Sequence, residues 1–211
     1  MKKAWQYPYV LIASQNQHKL KEFRDLFQLE LGIGVKGLDE FPDAPEIIED
    51  QDTFEGNAVK KSETISRWLG QPVLSDDSGI VVPALDGAPG VYSARYAGEG
   101  STDQQNVQKM LHEMEAIPAS DRGAYYVCVM ALSVPDEESK FVRGECHGVV
   151  AHEPRGENGF GYDPVFYMPE REQTMAELRS EEKRAISHRS IATKKLVELL
   201  KETYTFSRHV D

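Results

Sequence analysis

The chain has 211 residues, 40% hydrophobic and 28% charged, the composition of an ordinary globular protein and not of a disordered one. The formal charge is −11 and the isoelectric point is near 5.1, which argues against a nucleic-acid binder with a basic face. No apolar run approaches the roughly 20 residues of a membrane span. Two cysteines, Cys128 and Cys146, are too few for a disulfide scaffold or a thiolate metal site.

The N-terminal stretch is interrupted by Gln6 and Pro8 and does not read as a signal peptide, so a reducing cytoplasm is the expected location. Val10–Ala13 reads as a buried strand. A helix should follow, because Leu20, Phe23, Phe27 and Leu31 recur at near-helical spacing. Residues 35–38 suggest a second strand, and the acidic stretch 40–52 suggests a loop. Phe54–Leu69 reads as a helix ended by Gly70 and Pro72. Strands are expected at 72–75 and 80–85, around a turn-like Asp76-Asp77-Ser78-Gly79. The Gly-rich stretch 87–100 should be irregular. A helix is predicted over 103–115, with Val107, Met110, Leu111 and Met114 on one stripe. The apolar run 125–134 reads as a central strand, with 141–150 pairing back as a hairpin. Residues 154–162 form a Gly-rich loop. Thr174 and Glu177 make a capping-box pattern that should open a short helix. An amphipathic helix over 191–202 closes the chain. This order predicts an α/β fold with a mixed sheet.

Some signals are weak. Gly32, Gly34 and Gly37 spell GxGxxG, but the stretch follows a predicted helix and runs into Pro42, so it does not suit a dinucleotide. His147 and His152 fall on opposite faces of a predicted strand and read as ordinary histidines. Cys128 and Cys146 sit on neighbouring predicted strands and read as reduced, packed thiols.

Other segments carry chemistry. Ser14, Gln15, Asn16, Gln17, His18 and Lys19 follow a buried strand and open a helix, where backbone N–H groups can hold an anion; a plain polar cap is the alternative. Asp76 and Asp77 are hard oxygen ligands of the kind that suit Mg²⁺, or else part of a solvated turn. Phe160, Gly161, Tyr162 and Asp163 lie in a glycine-rich stretch that lets an aromatic ring stack on a flat ligand. Lys183, Arg184, His188 and Arg189 cluster as basic side chains in an acidic protein. Together these suit a nucleotide with Mg²⁺.

The stretches SQNQHKLKEF, DTFEGNAVKK, LSDDSGIVVPALDGAPGVYSARYAGEG, GENGFGYDPVF and TMAELRSEEKRAISHR resemble the inosine triphosphate pyrophosphatase family. They occur in the family's order from about residue 10 to 190. The resemblance implies a single α/β domain over 1–211, two-lobed, with a long central mixed β-sheet flanked by helices and an active-site cleft between the lobes. It also implies a homodimer that converts ITP, dITP and XTP to monophosphate plus pyrophosphate, without nucleic-acid or membrane partners. By the same resemblance, Ser14 to Lys19 hold the triphosphate. Asp77 is proton acceptor and Mg²⁺ ligand, and Ser78 touches substrate. Phe160 to Asp163 form the base pocket, which Lys183, His188 and Arg189 complete. Two positions depart from the family. Ile48 falls where a metal-binding glutamate is expected, with Glu49 as the substitute ligand. Gly56 replaces an acidic residue before Asn57. Rival readings are a related pyrophosphatase with a modified-base preference and a catalytically weakened nucleotide-binding protein.

Overall fold

A computed structural model describes residues 2–206. After the short β1 (Lys3–Ala4), β2 (Tyr9–Ile12) buries Val10, Leu11 and Ile12. Helix α1 (Gln17–Leu31) turns the expected stripe inward, with Leu20, Phe23, Phe27 and Leu31 all buried. The Asn16 side chain caps it by accepting the Lys19 N–H at 3.2 Å. Gly32 ends it at φ 68°, a left-handed conformation that favours glycine. The GxGxxG stretch is thus divided between a helix C-terminus and β3 (Gly34–Gly37), with no strand-to-helix turn for a phosphate. Helix α2 (Phe54–Leu69) has the expected bounds; Thr53 Oγ1 accepts the Gly56 N–H at 3.0 Å and Gly70 closes it.

The chain departs from expectation at the aspartate pair. One strand, β4 (Val73–Val81), runs straight through Asp76, Asp77 and Ser78, where a turn was expected. Asp76 and Asp77 alternate to opposite faces of the strand, and each carboxylate has a donor of its own, Lys19 for Asp76 and Asn57 for Asp77. Helix α3 (Asp103–Glu113) opens with a capping box between Thr102 and Gln105 and buries Val107 and Met110. Its expected last turn loosens after Glu113, and Met114 still packs fully buried.

Strands β5 (Gly123–Ser133) and β6 (Lys140–Val150) follow, then β7 (Phe166–Met168) and β8 (Gln173–Thr174). His152 lies beyond the end of β6, so the expected two-histidine strand does not form. The expected Thr174 helix is only a single 3-10 turn, Met175–Glu177. Glu177 accepts the Thr174 N–H at 2.7 Å, but the Thr174 hydroxyl donates to the Arg155 carbonyl instead of capping a helix. Helix α4 (Ser180–Ile186) comes later and stops at the extended Ser187. Helix α5 (His188–Thr203) then starts earlier than expected, because Ser187 Oγ accepts the Ser190 N–H at 3.2 Å. His188 and Arg189 therefore lie in the first turn of α5.

Among the described residues the main sheet has 7 strands, in the order β3-β2-β4-β5-β6-β7-β8. β2 pairs parallel with both β3 and β4, while β6–β7 and β7–β8 are antiparallel, so the sheet is mixed as expected. The apolar β5 is its middle strand. Chain contacts define two compact units: Met1–Asp77 with Val129–Arg143 and Ala192–Asp211, and Ser78–Cys128 with Gly144–Ile191.

In the first unit Leu11, Ile65 and Val73 form a core that Leu38, Phe41 and Ile47 cover. There β1 pairs parallel with β9 (Tyr204–Thr205), and the Trp5 ring meets the Tyr204 ring edge-on at 5.0 Å. Glu137 ties this small sheet down, pairing with Lys3 at 2.9 Å and accepting from the Tyr204 hydroxyl at 3.0 Å.

In the second unit Ile80, Val107, Met110, Met114, Phe166 and Met175 share a core. Arg122 is buried there at 3% exposure. Its guanidinium donates to the carbonyls of Met114 at 2.6 Å, Val150 at 2.7 Å and Ala151 at 2.9 Å. Burial lowers its pKa, but an arginine keeps its proton at any ordinary pH. Cys128 is buried, Cys146 is half-buried, and both are unbridged. Among the described residues no helix is long and apolar enough to cross a membrane.

Candidate active site

In the first unit the end of β2, the first turn of α1, helix α2 and β4 bring charged groups together. Side chains alternate along a strand, so Asp76 and Asp77 leave β4 on opposite faces. The Asp76 carboxylate pairs with Lys19, both largely buried. Asp77, at 8% exposure, accepts from the Asn57 side-chain amide at 3.1 Å. Asn57 is itself held in place, because its own oxygen accepts the Gln51 N–H at 3.0 Å.

Lys61 stands at the centre of this cluster. Its ammonium lies 2.6 Å from Glu49 Oε1 and 3.7 Å from Asp77 Oδ1, and donates to the Asp76 carbonyl at 2.9 Å. Glu49 and Asp77 thus converge on one cation. Ile48, by contrast, is 67% exposed. At Gly56 a Cβ would meet Gln51 Cβ at 2.9 Å and Thr53 Oγ1 at 3.0 Å.

The remaining residues of the 14–19 segment are less uniform. Ser14 Oγ accepts the Asn16 N–H at 3.2 Å, and Gln15 is exposed. The Gln17 amide donates to Asp39 at 3.0 Å. His18 lies in the first turn of α1, and its side chain falls outside the described set.

No group of three or more His, Cys, Asp or Glu that could hold a metal occurs among the described residues. Two carboxylates suffice for Mg²⁺, which keeps several waters and takes further oxygens from bound phosphate. The convergence of Glu49 and Asp77 on the Lys61 ammonium fits that requirement: both are hard oxygen donors already gathered around positive charge.

In the second unit the Gly-rich loop, β5 and the α4–α5 junction surround Asp163, which is 3% exposed. Its Oδ2 accepts from Lys183 and from the Phe160 N–H at 3.0 Å. Its Oδ1 accepts the Tyr126 hydroxyl at 3.2 Å. Gly159, at φ 81°, has no room for a side chain, because a Cβ would press into the Asp163 carboxylate. The Lys183 ammonium sits 4.5 Å from the centre of the Phe160 ring, which is 63% exposed and so accessible for stacking. The Tyr126 ring stacks on His188, with centroids 4.7 Å apart. Arg189 is half-buried beside it in the sequence, and Ser78, in β4, is half-buried as well.

Tyr162 behaves differently from the exposed Phe160. Its ring is buried, its hydroxyl donates to the Ser93 carbonyl at 2.8 Å, and burial raises its pKa. The Gly161 N–H donates to Asp103 at 2.6 Å, which fixes the loop at the start of α3.

Sequence reasoning missed Asn57, Lys61 and Tyr126. Asn57 and Lys61 are one helical turn apart, so one face of α2 presents both, and the DTFEGNAVKK stretch contained that signal. Tyr126 had none, since a tyrosine in a strand next to another tyrosine reads only as packing.

The chain is an α/β protein with a mixed sheet and a cluster of charged side chains in each of its two units. The chain belongs to the Ham1 family, whose sequence model matches residues 10–199. It is 50% identical over 193 residues to the dITP/XTP pyrophosphatase of Geobacillus kaustophilus, covering 92% of this chain and 94% of that one. Identity to the dITP/XTP pyrophosphatase of Bacillus subtilis is 47%, covering 90% and 96%. Among solved structures, the Staphylococcus aureus Ham1 protein superposes with a TM-score of 0.87 at 43% identity, covering 92% of this chain and 98% of that one. A HAM1 protein from Coxiella burnetii gives 0.86 at 43% identity, covering 93% and 100%.

Proposed function

We propose that the protein is a Mg²⁺-dependent pyrophosphohydrolase that converts dITP, XTP and ITP to monophosphate and pyrophosphate, and so removes non-standard purine nucleotides. The activity for which the relatives are named supports the substrate class. The observation that carries the hydrolytic chemistry is the buried Asp77, oriented by Asn57 and gathered with Glu49 around Lys61.

The first cluster serves the triphosphate. Lys19 and Lys61 offer positive charge to phosphate oxygens, and Ser14, Asn16 and the N-terminal backbone of α1 offer donors. Asp77 takes the proton of the attacking water or ligates the metal with Glu49. Bound Mg²⁺ would supply positive charge against the electron density that builds on the phosphate oxygens. Water adds to phosphorus, the α–β anhydride bond breaks, and pyrophosphate leaves.

The second cluster serves the base. Phe160 stacks on the purine. Lys183, His188 and Arg189 offer donors to a keto oxygen at C6, and adenine's amino group would leave such a donor buried and unpaired. Ser78 contacts substrate. Gly161, Tyr162 and Asp163 shape the loop that presents Phe160. The acidic charge and unbridged cysteines support a cytoplasmic protein without nucleic-acid partners, and family membership supports a homodimer. The deciding experiment is pyrophosphate release from a panel of triphosphates with and without Mg²⁺. The expected result is fast dITP, XTP and ITP turnover with slow ATP and CTP. Release of inorganic phosphate without pyrophosphate would overturn the assignment.

A further inference from the structure

Tyr125 and Tyr126 are neighbours on β5 with opposite surroundings. The Tyr125 ring is half-buried and stacks on His147, which is exposed. Tyr126 is 7% exposed and points into the second unit. It touches three parts of the base cluster's support at once. Its hydroxyl donates to Asp163 Oδ1 at 3.2 Å, its ring lies nearly parallel to His188, and its other neighbour is Phe166, with centroids 4.5 Å apart.

The decisive feature is how the Asp163 oxygens are divided. Oδ2 holds both groups that matter for a base, the Lys183 ammonium and the backbone N–H of Phe160. Oδ1 is the oxygen that Tyr126 holds. The last torsion of an aspartate is broad, so a carboxylate gripped on one oxygen can rotate about it. Gripped on both oxygens, it cannot. Burial, and then the Asp163 charge, raise the Tyr126 pKa far above its ordinary value, so this hydroxyl keeps its proton and stays a donor.

We propose that Tyr126 is a positioning residue for base recognition: by holding Asp163 Oδ1 it fixes the carboxylate orientation that places Lys183 and the Phe160 ring against the purine. This rests on the functional reading above. It assigns a role in substrate selection to a core residue whose hydroxyl acts through Asp163, while its ring packs on His188.

The test is Tyr126→Phe, which removes the hydroxyl and keeps the ring, its stacking on His188 and its contact with Phe166. KM for dITP and XTP should rise about 5- to 30-fold, the range expected for losing a bond to a charged group, with kcat within about twofold of wild type. The preference for dITP over ATP should shrink by a similar factor. The thermal midpoint is recorded alongside. A double-mutant cycle supplies the second measurement: in an Asp163→Ala background, which removes the acceptor, adding Tyr126→Phe should produce no further rise in KM. An unchanged KM and selectivity in Tyr126→Phe overturns the proposal. So does a fall in kcat and midpoint with KM unmoved, or additive KM effects in the cycle. Failure of the underlying reading is distinguishable, because the wild-type protein would then release no pyrophosphate from dITP or XTP in the same assay.

Discussion

Asp77 and Asp163 are both buried carboxylates with a lysine beside them, yet their settings differ. Asp163 is gripped on both oxygens by a hydroxyl, a backbone N–H and a directly paired ammonium. Asp77 takes an amide from Asn57, while Lys61 stands off at 3.7 Å and lies closer to Glu49. Asp163 is arranged to hold a shape. Asp77 is arranged within a field of charge that a proton or a metal ion can alter. The comparison teaches that a buried carboxylate is assigned its work by its donors rather than by its burial. Variants of the Asp77 cluster should affect all triphosphates alike, and variants of the Asp163 cluster should affect the choice among them.

The largest effect tests the first half of that statement. Asp77→Asn keeps the shape and loses charge and basicity, so kcat should fall by about 10²-fold or more for dITP and ATP alike. Steady-state pyrophosphate release measures it. Near wild-type kcat at saturating Mg²⁺, or a changed dITP/ATP ratio, would break the comparison.

Next in size is Arg189→Ala. Loss of one donor to a keto oxygen should lower kcat/KM for ITP by about 5- to 150-fold and narrow the ITP/ATP ratio. If both substrates fall by one factor, Arg189 serves phosphate and belongs with the Asp77 group.

The smallest effect concerns a third carboxylate that should touch neither activity. Burial alone would raise the Glu137 pKa, but Lys3 and the Tyr204 hydroxyl hold it below its ordinary 4.5. Its contribution is present above that value and lost as pH falls through the lower, folded one. Glu137→Gln should cost roughly 0.5–1 kcal/mol near neutral pH, and the difference should vanish in acid. Thermal midpoints of the two proteins from pH 7 down to pH 3 check this, with kinetics unchanged at neutral pH.

Much of this was legible in the sequence. The α1 stripe, the α2 bounds and the apolar middle strand follow from periodicity and capping residues, because burial selects them locally. The Asp76-Asp77 pair misled. Its strand depends on Lys19 and Asn57, which lie far away in sequence, and local propensity cannot see such partners. The same limit hid Tyr126, whose importance is a single hydroxyl meeting a carboxylate from another segment. The α4–α5 boundary failed for a smaller reason, since one serine at 187 both stops a helix and caps the next.

Arg122 has one more consequence. Its guanidinium and its own carbonyl both hold Val150, the latter accepting the Val150 N–H at 2.8 Å, while the same side chain reaches back to the end of α3. No carboxylate pairs with it among the described residues, so salt should not loosen it. The segments it joins cannot come apart one at a time without stranding a cation among apolar side chains. In amide hydrogen exchange, the N–H groups of Ile117 and Val150 should therefore open together, as one cooperative patch with a shared opening free energy.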